Sequence, residues 1–129
     1  MKKRDKIIYW VATLWLALGM LANGIGQLLK IQSGAGSVDV INHLGYPLYL
    51  LGILGSCKLL GTLIILAPGI KLLKEWAYAG FVFMMLGAII SHVMVGDGID
   101  DIWPALLLLM LTLISWYFRP ENRRLIKII

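Results

Sequence analysis

Among the residues able to bind or react, Lys58 stands out by its setting, because apolar residues flank it on both sides from about Tyr46 to Ala67. A lysine in the middle of an apolar stretch is costly in lipid, so such residues usually face a protein interior or a wet cavity. Side chains lean toward the N-terminus of their own helix, which directs Lys58 toward the end of the stretch where Tyr46 lies. Asn23 and Gln27 of an earlier stretch, with Ser91 and His92 of a later one, fall at that same level. Asn23, Gln27, Lys58 and His92 therefore form the candidate ligand-binding set. Two readings of Lys58 stand side by side. It can snorkel onto Asn23, Gln27 or backbone carbonyls, or it can hold a polar headgroup such as a quinone oxygen.

Other chemistry is poorly supplied. His92 could relay a proton or bind a haem iron, but haem ligation needs a partner that no second helix offers, and a hydrogen-bonded histidine is the plainer reading. His43 could join it, yet no spacing fixes a shared metal. Asp97, Asp100 and Asp101 lack the ordered ligand spacing of a calcium loop. No phosphate-binding loop, nucleophile elbow or zinc-binding helix occurs. Cys57 is the only cysteine, which excludes a thiol–disulfide exchanger acting alone. No catalytic residue and no metal ligand is assigned, and the chain reads as a binding protein more than an enzyme.

The elements that must position this set are long and apolar. The chain has 129 residues, 60% of them hydrophobic and 15% charged. A domain this small cannot hide so much apolar surface from water. Four apolar runs cover about residues 7–29, 46–67, 77–95 and 102–118, each within the ~17–25 residues that cross a bilayer as helix. None alternates as a barrel strand would. The first run is too long for a cleaved signal and lacks a good cleavage site. The short connections predict an all-α, antiparallel four-helix membrane bundle forming a single domain over residues 1–129. Small residues such as Gly52 with Ser56 and Gly87 with Ser91 are expected to let helices approach.

The charge of +5 is distributed, not patched, which argues against nucleic acid. Of the 12 Lys and Arg, all but Lys30 and Lys58 lie at the chain start, at Lys71 and Lys74, or at Arg119, Arg123, Arg124 and Lys127. The positive-inside rule then places both termini in the cytoplasm of a multi-pass protein of the inner (cytoplasmic) membrane. Asp39, Asp97, Asp100 and Asp101 fall on the other side. Pro47 and Pro104 are expected in the first turns of the second and fourth helices.

The chain resembles the DoxX-like family over nearly its whole length. The resemblance is carried by Gly45-Tyr46-Pro47, Lys58-Leu59-Leu60-Gly61, Ala67-Pro68-Gly69 and Leu73-Lys74-Glu75-Trp76-Ala77-Tyr78-Ala79-Gly80-Phe81, then by Gly87, Ser91-His92, Gly96-Asp97, Pro104 and Arg119-Pro120. It implies a four-helix membrane bundle in which Tyr46, Pro47, Gly61, Glu75, Trp76 and Gly80 are structural motif positions. Glu75 and Trp76 would orient the cytoplasmic end of the third helix. The relative that names the family is a small subunit of a thiosulfate:quinone oxidoreductase. The expectation is a quinone- or lipid-associated, non-catalytic subunit that meets a membrane redox partner. Many relatives have lysine where this chain has Gln27, and glutamate where it has Lys58. The alternative is a structural or small-molecule transport protein acting as a homo-oligomer.

Overall fold

The computed structural model describes residues 2–123, so Arg124 and Lys127, counted above among the basic flanks, lie outside it. The described residues form five α-helices and no strand: α1 (Lys3–Leu28), α2 (Val38–Leu44), α3 (Leu50–Leu66), α4 (Lys71–Met94) and α5 (Ile99–Tyr117), followed by a 3-10 turn at Glu121–Arg123. Three of them, α1, α4 and α5, are long and apolar enough to cross a membrane. The fourth, α3, is apolar but has 17 residues.

Three boundaries differ from the hydropathy reading, each for a local reason. The helix expected over residues 46–67 begins only at Leu50. Pro47 disfavours helical backbone at Tyr46, and the chain turns instead, with Leu50 N donating to the Pro47 carbonyl at 3.1 Å. Pro47 thus precedes the helix. At its other end, Pro68 pushes Ala67 to extended backbone and stops α3. α4 starts at Lys71 and α5 at Ile99, ahead of the apolar runs, because intrahelical hydrogen bonding continues past the point where lipid would end. Lys74 and Glu75 are therefore helical. The earlier start places Pro104 in the second turn of α5, where its missing N–H leaves the Asp100 carbonyl without its usual helical donor.

The connection expected as a loop contains α2. Ser37 caps it by accepting from Val40 N at 3.4 Å, and Gly45 ends it in the left-handed conformation at φ +86°. Glycine takes that conformation freely because it has no Cβ to crowd the backbone.

The four longer helices pack in a closed ring, α1 against α3 and α5, α4 against α3 and α5. Contacts between early and late residues make every neighbouring pair antiparallel: Asn23 with Lys58, Gly61 with Phe81, Glu75 with Trp116, Thr13 with Ser115. A core of Leu16, Met20, Ile65, Phe81, Met85 and Leu111 fills the middle. Closest approach occurs where α1 crosses α3 at Gly24 and Gly55, whose backbones leave no room for a side chain. Gly52 and Gly87 have open space around them and make no such crossing within the chain.

The end of the ring that holds Lys3 and Arg123 is fastened by buried cations. Lys74, 1% exposed, donates to the carbonyls of Ile64 (2.5 Å), Ile65 (3.2 Å) and Ala67, the last turn of α3. Arg123 adds bonds to Ile65, Leu66 and Ala67, and its guanidinium lies over the Trp10 ring. Positive charge at a helix C-terminus satisfies orphan carbonyls and opposes the helix dipole favourably. Glu75 accepts from Arg119 at 2.6 Å and from Trp116 Nε1 at 3.0 Å, so it ties α4 to the end of α5. Trp76, by contrast, is 64% exposed.

Candidate functional site

The opposite end of the ring contains a cavity of about 640 Å³. α1 contributes Asn23 and Gln27 to its wall, α3 contributes Leu50, Leu54 and Lys58, α4 contributes Phe83, Met84, Met85, Gly87, Ala88, Ser91 and His92, and α5 contributes Asp100, Asp101, Pro104, Ala105 and Leu108. Residues of the first connection and of α2 cover it: Gly36, Val40, Ile41 and Leu44. The wall is largely apolar with a few polar groups, and the size lies within the ~300–1,000 Å³ range usual for small-molecule sites.

All four residues singled out from sequence, Asn23, Gln27, Lys58 and His92, lie on this one wall. Lys58 is 5% exposed and its Nζ donates to Asn23 Oδ1 at 2.5 Å. Asn23 in turn donates to the Ala35 carbonyl at 3.1 Å, which fixes its amide with oxygen toward the lysine. Gln27 is 2% exposed, and its Oε1 has no hydrogen-bond partner among the described residues. Gly36, at φ +69°, lies against both amides: a Cβ there would sit 2.8 Å from Asn23 Oδ1 and 2.9 Å from Gln27 Nε2. The first connection can cover the polar layer only because that position has no side chain.

His92 engages Asp97, one of the acidic residues whose spacing pointed to no metal. Its Nδ1 lies 2.7 Å from Asp97 Oδ2, and His43 Nε2 of α2 lies 2.7 Å from Asp97 Oδ1. A carboxylate only accepts, so both ring nitrogens are the N–H donors, leaving His92 Nε2 without that proton in the neutral ring. Those hydrogen bonds, from His92 first and His43 second, hold the Asp97 carboxyl below the usual carboxylate range. Asp97 thereby clasps α2 to the end of α4. Tyr46 adds a second clasp: Ser91 Oγ donates to the Gly87 carbonyl at 2.7 Å, so the Tyr46 hydroxyl, 2.6 Å away, donates to Ser91. The halves of these clasps that reach across helices have no spacing signal in the sequence, because His43–Asp97 and Tyr46–Ser91 join residues 54 and 45 positions apart.

Chemically, the cavity presents one amine, an unpartnered amide oxygen and an imidazole above apolar walls. Among the described residues no group of three or more His, Cys, Asp or Glu is placed to hold a metal ion. Cys57 is exposed and off the cavity wall. A further polar chain, Thr13 Oγ1 to Ser115 Oγ at 2.6 Å and Tyr78 OH to the same oxygen at 2.7 Å, is buried between α1, α4 and α5 and serves packing.

The profile of the DoxX-like family matches residues 11–115 of the chain. No curated protein and no solved structure matches it.

Proposed function

The chain belongs to the DoxX-like family, and on that premise we propose that it is a quinone- or lipid-associated, non-catalytic subunit of a membrane oxidoreductase system. The observation that carries this is a buried lysine, 5% exposed, on the wall of a mostly apolar cavity beside the unpartnered Gln27 carbonyl. A buried donor and acceptor left facing a cavity each carry a desolvation cost that a bound headgroup relieves. In this reading α3 is a fourth span, both termini are cytoplasmic and the protein lies in the inner membrane. At a rise of about 1.5 Å per residue the 17 residues of α3 cover about 25 Å, short of a ~30 Å core by an amount that local thinning accommodates. A redox partner would meet the exposed surface.

The test is titration of a short-tailed ubiquinone or menaquinone analogue against the detergent-solubilised protein and Lys58→Met. Saturable binding weakened at least about tenfold by Lys58→Met is expected, in line with the cost of removing one partner of a buried polar pair. Equal affinity, or no saturable binding, refutes the quinone form of the reading. One observation supports the alternative of an oligomeric structural or transport protein: Gly80 on α4, off the cavity wall, opens onto empty space. A strictly monomeric mass in detergent would remove that alternative.

A further inference from the structure

The cavity wall holds a single lysine or arginine, Lys58; the one imidazole on it, His92, is bonded to the Asp97 carboxylate. Its one side-chain partner is the neutral amide of Asn23, and no carboxylate of the described residues forms an ion pair with it. Asp100 and Asp101 stand on the same wall, in the first turn of α5, where the helix dipole favours their charge. They disfavour an anionic head seated at the outer rim and leave Lys58 as the one attractive pole.

The cavity also opens sideways. Tyr46, just ahead of α3, and Phe83 of α4 line it and are 42% and 72% exposed, so its wall reaches the outer surface on the side of α3 and α4. Phe83 is halfway along α4, a helix long and apolar enough to span a membrane. A mouth at that depth faces hydrocarbon, and a molecule that uses it must already be dissolved in the bilayer. Leu50, Leu54 and Met84 inside the mouth suit an alkyl chain.

We propose that the ligand is an anionic amphiphile, with its acidic head paired to Lys58 and its alkyl chain running out between α3 and α4. This rests on the ligand site proposed above and narrows its chemistry. The pairing does not depend on which partner brings the proton. A protonated acid entering from the bilayer transfers its proton to a neutral amine, and an ionised acid meets an ammonium; both give ammonium and carboxylate. The unpartnered Gln27 Oε1 stays available to a further donor, such as a water or hydroxyl carried with the head. The acid group comes from a free fatty acid or from the phosphate of a phospholipid.

The experiment uses the full chain in a neutral detergent, with dodecanoate, dodecanol and phosphatidylglycerol added separately and followed by native mass spectrometry and by competition. Saturable dodecanoate binding, at least about tenfold tighter than dodecanol, is expected. Lys58→Met should lower the dodecanoate affinity about tenfold while leaving dodecanol unchanged, and Lys58→Arg should restore it. Competition by phosphatidylglycerol at one copy per chain would assign the head to a phospholipid; its failure to compete would assign it to a free acid. Dodecanoate binding no tighter than dodecanol, measured on the unaltered protein, overturns the proposal even if Lys58→Met does not fold. Binding of a quinone analogue without either acid also overturns it, while sparing the broader ligand site. Binding of none of these overturns both.

Discussion

Replacing Gly55 by alanine probes the closest helix crossing and, through it, the candidate site. A Cβ on Gly55 would lie 2.8 Å from the Gly24 carbonyl oxygen, 2.9 Å from Leu28 Cγ and 3.2 Å from Leu28 N, whereas ordinary contact begins near 3.4 Å. Two of these atoms are backbone, so no rotamer change relieves them, and α1 and α3 must part by roughly half an ångström. Overpacking of this kind costs about 1–3 kcal/mol. Alanine returns up to about 1 kcal/mol of helix propensity over glycine. The net expectation is a loss of about 0–3 kcal/mol. Gly52→Ala on the same helix is the control: nothing lies within 4 Å of its Cβ, so it should be neutral or gain up to about 1 kcal/mol. The two variants should differ by about 1–3 kcal/mol in thermal unfolding followed by circular dichroism in one detergent. Lys58 sits one turn along α3, with its Nζ 2.5 Å from Asn23 on α1. The same parting should therefore weaken ligand binding in Gly55→Ala and leave it intact in Gly52→Ala. If both variants melt alike, the backbone crossing is not what sets the geometry of the cavity.

Two further outcomes follow from the polar ties. Asp97 has a folded carboxyl value below its unfolded one, so its stabilising contribution is present in full at neutral pH and disappears as pH falls through that lowered value, below about pH 4; Asp97→Asn should be less stable at pH 7 and should lack this acid-side step in melting temperature. Glu75→Gln keeps an acceptor for Trp116 but removes the charged hydrogen bond from Arg119, which is 4% exposed; a loss of about 1–3 kcal/mol is expected in chemical unfolding, with cavity binding at the far end unchanged.

Much of this arrangement was legible along the chain because lipid imposes it locally. Backbone groups in hydrocarbon must bond within their own helix, so composition, run length and the lack of alternation were enough to read an all-helical membrane protein. The antiparallel order followed from short connections, and the level at which Asn23, Gln27, Lys58 and His92 lie followed from counting the helical rise. What counting could not reach was contact. That Gly24 meets Gly55 while Gly52 meets nothing depends on which face each helix turns inward, and the hydrophobic stripe that reveals this in water is blurred when the outside is apolar too. Lys74 reads as one more basic residue of a cytoplasmic connection until the fold brings the last carbonyls of α3 around its ammonium. Asp97 reads as a solvated acid until α2 carries His43 to one of its oxygens and α4 turns His92 to the other. Hydropathy measures the solvent each segment prefers; pairing of polar groups across separate segments is a property of the closed ring, and only tertiary structure decided it.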